Sequence, residues 1–157
     1  MKPRPEGSFA NLIPELSEWN NGDGISVDAW ICCVGDFEHA IGYGRVFWPN
    51  FEEHDGCVFA PGFSVESYIG FIEQCNGDKK RVEAVMNHVH IRDLFPNTDE
   101  SPTHDQIVYI GRLLKEIWGC KLQRDFPDRR FVFSFPEGPY DDPILYELTF
   151  FQEWPSE

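Results

Sequence analysis

The stretch RFVFSFPEGPYDDPILYELTFFQ, residues 130–152, decides the fold because its two halves carry the same alternating pattern. Every second residue is apolar in each half, as in a strand with one buried face. These residues are Phe131, Phe133 and Phe135 in the first half, and Ile144, Tyr146, Leu148 and Phe150 in the second. The segment between the halves, EGPYDDP, is rich in turn formers, so the stretch predicts an antiparallel β-hairpin.

An isolated hairpin is marginally stable in water and needs a helix against its apolar face. The segment just before it, HDQIVYIGRLLKEIWGCKLQRDF, is the longest helical pattern in the chain, with Thr103 as its N-cap and Pro127 as its stop. Its apolar stripe consists of Ile107, Ile110, Leu113 or Leu114, Ile117, Trp118 and Leu122. We expect the hairpin to pack on this helix.

The N-terminal third carries two weaker helix signals. A short helix is predicted over residues 12–19, and a second one follows Ser26 as its N-cap. Helical spacing in the second is carried by Trp30, Cys33, Val34, Phe37 and Ile41. Its glycines are explained either by close helix packing or by a break at residues 35–36.

Two further helices are predicted in the middle of the chain. Ser64 caps the first, which Asn76 and Gly77 end. Asp78 caps the second, predicted over residues 79–95. The fold class expected is therefore α+β: four to five helices with a C-terminal hairpin on the longest one, and residues 57–59 as a candidate third strand.

The composition fits one domain over residues 1–157, with loose ends at 1–8 and 153–157. The 27 acidic residues against 13 Lys and Arg give a net charge of −14. Such a surface disfavours nucleic-acid phosphates and anionic membranes, because both attract basic faces. It favours rapid, salt-dependent encounter with a basic protein.

The five cysteines predict reduced thiols in a cytosol, because their number is odd and no Cys-x-x-Cys occurs. The N-terminal MKPRPEGSFANL lacks the apolar segment of a secretory signal. No apolar run approaches the roughly 18 residues of a membrane span. We therefore expect a cytoplasmic location.

A candidate metal pair, His88 and His90, lies in MNHVHIRDLF, residues 86–95. On a helix two such rings point about 200° apart, so one ion could not bind both. The apolar spacing through Val89 favours the helix and hence diverging rings.

The alternative is that the helix ends near Asn87 and an extended segment follows. Both rings would then share a face. His54, Asp55 or His39 could complete a zinc site, since zinc takes three or four such ligands.

Other catalytic patterns are weak. Cys57 follows His54 by three residues, so a stabilised thiolate is one interpretation, and a buried structural cysteine is the commoner one. Glu38 and His39 are adjacent and would not face each other on a helix. Neither Gly-x-Ser-x-Gly nor a phosphate-binding loop occurs.

Acidic and aromatic residues cluster in segments predicted to be loops. Acids would steer a basic partner and aromatic rings would anchor it. The candidate partner-binding residues are Trp48, Phe51, Glu52, Glu53, Asp55, Tyr140, Asp141 and Asp142. In its overall character, small, acidic, aromatic-rich and without catalytic motifs, the chain resembles the immunity proteins that bacteria make against their own basic toxins. The resemblance implies inhibition by an acidic face that covers a toxin's active site.

The first functional hypothesis is thus a non-enzymatic protein that binds a basic protein partner and needs no cofactor. The alternative is a small zinc-dependent hydrolase that uses His88 and His90 with His54 or Asp55. A structural subunit that forms a homodimer is a third interpretation.

Overall fold

A computed structural model describes residues 9–97 and 101–154 of the protein. Contacts divide the chain into two compact units, one up to Tyr43 and one from Gly44 onward. The single domain stays a prediction, and the predicted loose ends at 1–8 and 155–157 lie outside the described residues. None of the described helices has the length and apolar character that crossing a bilayer requires.

The described elements confirm the α+β class. The α-helices are α1 (Val27–Val34), α2 (Phe37–Phe47), α3 (Val65–Gln74), α4 (Lys79–Met86) and α5 (His104–Asp125). The strands are β1 (Glu52–His54), β2 (Cys57–Phe59), β3 (Val89–His90), β4 (Phe131–Ser134) and β5 (Glu147–Gln152). Short 3₁₀ helices lie at Pro14–Ser17, Asn20–Gly22, Ile91–Leu94 and Pro143–Leu145.

Within the helix predicted over residues 12–19, the first unit has only a 3₁₀ helix, Pro14–Ser17, and a second 3₁₀ helix, Asn20–Gly22, follows that range. Asn20 and Asn21 adopt positive φ angles of 55° and 57°, which an α-helix does not accept. The second predicted helix breaks at Gly35, whose ψ of 143° is extended. Asp36 then starts α2 by accepting hydrogen bonds from the backbone N–H groups of Glu38 and His39. Of the two explanations proposed for the glycines, close helix packing and a break at residues 35–36, the break therefore accounts for Gly35.

The predicted caps of the second unit are confirmed. The Ser64 side chain accepts a hydrogen bond from the backbone N–H of Ser67, and the Asp78 side chain accepts one from the backbone N–H of Arg81. Thr103 forms a full capping box with Gln106, in which each side chain bonds the other's backbone N–H. Caps are local, which is why sequence reading finds them.

The hairpin of β4 and β5 is antiparallel, with Phe133 opposite Phe150. A third strand, β3, pairs with the other edge of β5, so the order is β3–β5–β4. Residues 57–59 do form a strand, as expected, but that strand is β2, which pairs with β1 in a separate two-stranded sheet.

The core of the second unit confirms the predicted contact between hairpin and long helix. Tyr146, Leu148 and Phe150 are buried on one face of the hairpin. The Phe150 and Trp118 rings meet edge to face, with centroids 6.2 Å apart. Ile144, the fourth member predicted for that face, lies before β5 in a 3₁₀ helix.

The helix predicted over residues 79–95 ends at Met86, which corrects the prediction. The reason is Asn87, a fully buried residue whose side chain joins β2 to β5. Its Oδ1 accepts from the Ala60 N–H at 2.9 Å. Its Nδ2 donates to Val58 O at 2.8 Å and to Phe150 O at 3.2 Å. Tertiary hydrogen bonds thus replace the next helical turn, and the chain continues as β3.

Candidate functional site

His90 lies on β3 and His88 directly precedes that strand, so the prediction that a helix runs through both residues was wrong, and the alternative of a helix that ends near Asn87 before an extended segment is correct. The ring centroids of His88 and His90 are 5.4 Å apart, with perpendicular planes. Nδ1 of His88 lies 2.5 Å from Val85 O, and Nδ1 of His90 lies 2.6 Å from Ile144 O. Because a carbonyl oxygen only accepts, each Nδ1 carries the proton that it donates in these contacts.

The proposed third ligands have other contacts. His54 packs edge to face on Tyr68, with ring centroids 4.9 Å apart. Asp55 accepts from the Tyr68 hydroxyl at 2.6 Å and pairs with Lys79 at 3.1 Å. Across residues 9–97 and 101–154, no three His, Cys, Asp or Glu side chains come together as metal ligands would. His39, the remaining candidate, pairs with Asp36 in the first unit.

The contacts of Asp55 predict a specific pH dependence. The Tyr68 hydrogen bond, followed by Lys79, lowers the pKa of this carboxyl below its ordinary value of 3.8. A lowered folded-state pKa contributes stability above the ordinary value, and that stability is lost as the pH falls through the folded value. We therefore expect wild type to be more stable than Asp55→Asn at pH 7, with the difference shrinking below about pH 4. Unfolding free energies measured across this range check it.

Asparagine is a suitable replacement because Asp55 has a φ of 51°, a conformation that Asn also tolerates. It keeps an acceptor for Tyr68 and loses only the charge. A difference between the two proteins that stays constant down to about pH 2 would show that the ionised carboxylate is not what stabilises this turn.

Cys57 is a buried structural cysteine, as the commoner interpretation held. Burial, with a smaller contribution from the Glu83 carboxylate, raises the pKa of its thiol to about 12. The thiol is therefore protonated at neutral pH and is a poor nucleophile.

Thiol labelling checks this assignment. Cys32, Cys33 and Cys120 are exposed, whereas Cys57 and Cys75 are buried. We expect three thiols to react quickly with a disulfide reagent at about pH 8 and two to react only after unfolding. Mass mapping identifies the labelled positions, and fast labelling of Cys57 in the folded protein would contradict the prediction.

One group of the predicted partner-binding residues surrounds the β1–β2 hairpin. Glu52 is exposed, and the Glu53 carboxylate pairs with Arg129. Trp48 is partly exposed, with the Lys121 ammonium 5.7 Å above its ring. The Phe51 ring packs on Trp118 and Phe150 in the core, so it offers little surface to a partner.

The other group, Tyr140 to Asp142, lies in the connection between β4 and β5. Tyr140 packs edge to face on Tyr146, just before the start of β5. The β1–β2 turn is held at the opposite end of that strand, where Gln152 Nε2 donates to Gly56 O at 2.9 Å. Six residues of strand separate these ends by roughly 20 Å. The predicted residues therefore occupy two separate surfaces.

A third surface was missed from the sequence. The stripe Trp30, Cys33, Val34, Phe37 and Ile41 was used only as evidence of a helix, and no residue of α1 or α2 is buried. Phe37 is 89% exposed and Ile41 is 75% exposed. A cavity of about 360 Å³ lies between the two helices. The available signal was the charge pattern, because residues 9–43 contain six Asp and Glu and neither Lys nor Arg.

Comparisons of the chain with protein-family models, with curated proteins and with solved structures found no match. A functional proposal must therefore depend on the chemistry of the described residues.

Proposed function

We propose that this protein is a non-enzymatic binding protein whose partner is a basic protein, with immunity-type inhibition of a toxin as its most concrete form. The observation that carries the proposal is the uncompensated negative charge. The chain has 27 acidic residues against 13 Lys and Arg. Several of those cations are already engaged within the second unit, in the pairs Lys79–Asp55, Arg112–Glu137, Lys121–Asp125 and Arg129–Glu53.

These pairs affect the surface that a partner meets. Each one cancels a positive charge with a negative charge, so the excess of acids remains on other side chains. Glu52, Asp141 and Asp142 are exposed acids of this kind at the two predicted loop surfaces. Their field would accelerate the approach of a basic protein and reject acidic proteins.

The test is affinity capture on the immobilised full chain at about 50 mM and about 500 mM salt, because screening shortens the range of charge interactions. We expect the captured proteins to be basic and to be released at high salt. Neutral or acidic partners, or capture that ignores salt, would refute the proposal.

A pair of charge variants sharpens the experiment. Glu52→Gln removes an exposed acid at the predicted surface, and Glu73→Gln removes one from α3. Both variants change the net charge by one unit. A larger loss of capture with Glu52→Gln than with Glu73→Gln would therefore locate the contact at the surface around β1 and β2. Equal losses would indicate that the charge acts without a defined surface there.

A further inference from the structure

The pair of α1 and α2 presents an apolar groove that its own unit leaves open. The cavity is lined by Trp30, Ile31, Val34, His39, Ala40 and Tyr43. Ile31 and Val34, on α1, are 52% and 45% exposed. Phe37 and Ile41 extend the exposed apolar area along α2. Exposed apolar area of this kind on adjacent helices marks an interaction surface.

A second observation concerns the indole of Trp30. Its N–H is buried and has no hydrogen-bond partner among the residues that the structure describes. A buried donor without an acceptor is costly. The packing around Trp30, a residue that lines the groove, therefore leaves one buried donor unsatisfied.

The charge around the groove determines what can occupy it. Residues 9–43 carry six acids, Glu15, Glu18, Asp23, Asp28, Asp36 and Glu38. They carry no Lys or Arg, Asp36 lines the groove itself, and the one cation on either helix, Arg45, lies in the last turn of α2 outside that lining. An occupant must therefore combine an apolar face with positive charge, which is the character of a basic amphipathic helix. A second copy of this unit would instead bring acids against acids.

We infer that the α1–α2 groove docks a basic amphipathic helix of the partner, with apolar side chains in the groove and Lys or Arg facing the surrounding acids. The inference rests on the proposed function, and it assigns the contact to a surface other than the predicted acidic loops. Binding by an apolar stripe on a helix is a common mode of recognition.

The experiment uses the full chain and three synthetic peptides of roughly 15 residues, a length near the minimum for a stable helix. The first is a leucine–lysine peptide with leucines at helical spacing. The second has the same composition in scrambled order, and the third replaces lysine with glutamate. We expect calorimetry to detect binding of the first peptide only, and to show weaker binding at high salt.

Matched variants locate the site. The double variant Ile31→Ser/Val34→Ser removes two apolar side chains from the groove. The control Val65→Ser/Ile69→Ser removes the same pair from α3, where their exposures are 47% and 54%. We expect the groove variant to weaken binding about tenfold or more and the control to leave it within about twofold. Circular dichroism confirms that both variants keep the fold.

Three results would overturn the inference. Binding of the first peptide that both double variants weaken equally would place the contact elsewhere, while the capture experiment could still support a basic partner. No binding of that peptide at about 1 mM would exclude a basic helix as the occupant. A free protein that is dimeric, and becomes monomeric as Ile31→Ser/Val34→Ser, would show that a second copy fills the groove.

Discussion

Replacing Glu83 with alanine is expected to lower the free energy of unfolding of the second unit by about 3–5 kcal/mol. Glu83 lies on α4 and is fully buried. One carboxylate oxygen accepts from the Val58 N–H at 2.8 Å, and the other accepts from the Gln152 N–H at 2.8 Å. The side chains of Gln152 and Trp154 donate to the same carboxylate. The carboxylate therefore links β2 to the end of β5.

The size of the effect follows from what alanine leaves behind. The two backbone N–H groups would be buried without acceptors, at about 1–3 kcal/mol each. The Gln152 side chain keeps its bond to Gly56 O, so its loss is smaller. The cavity left by the side chain adds to the cost.

Chemical denaturation followed by circular dichroism measures the change. Glu73→Ala is the matched control, because Glu73 is an exposed glutamate on α3, and its loss should stay within about 0.5 kcal/mol. A Glu83→Ala effect below about 1 kcal/mol would mean that water satisfies the freed donors.

The second large effect is expected at Gly111, a buried glycine in the middle of α5. A Cβ built on Gly111 would overlap three ring carbons of Phe135, well inside the 3.0 Å that real Cβ contacts keep. The ring must move away from the helix to admit even a methyl group. We therefore expect Gly111→Ala to destabilise the protein by about 1–3 kcal/mol, although alanine favours a helix by about 1 kcal/mol.

Gly119 on the same helix provides the control. A Cβ at that position would lie 3.7 Å from the Phe133 ring, which is an ordinary contact. Gly119→Ala should therefore raise the stability by about 0.5–1 kcal/mol through helix propensity alone. Thermal and chemical denaturation of the two variants give the comparison. If both variants were stabilised, the contact between Phe135 and Gly111 would not constrain the helix.

The contacts of Glu153 and Trp154 could not be predicted from the sequence. Residues 153–157 were expected to be loose, yet the Glu153 N–H donates to Arg130 O at 2.9 Å. The Trp154 indole donates to Glu83 at 3.0 Å. Both contacts involve residues distant in sequence, so no local pattern predicts them.

Some of the candidate functional residues were predicted from the sequence, and others were not. His88 and His90 were found as a pair, but their geometry was wrong because the end of α4 was wrong. Phe51, which was predicted to bind a partner, is partly buried and packs against Trp118 of the core. The α1–α2 groove was missed because an apolar stripe at helical spacing predicts a buried face and carries no information about what covers it.

The sequence by itself determined the α+β class and the helix caps at Ser26, Ser64, Asp78 and Thr103. It also determined that Tyr146, Leu148 and Phe150 share the buried face of the hairpin. These features depend on side chains within a few residues of one another. The tertiary structure alone decided where α4 ends, which strand joins the hairpin's sheet and which apolar side chains stay exposed. Asn87 shows the physical reason, since its bonds to Ala60, Val58 and Phe150 span 27, 29 and 63 residues and outweigh the local preference for another helical turn.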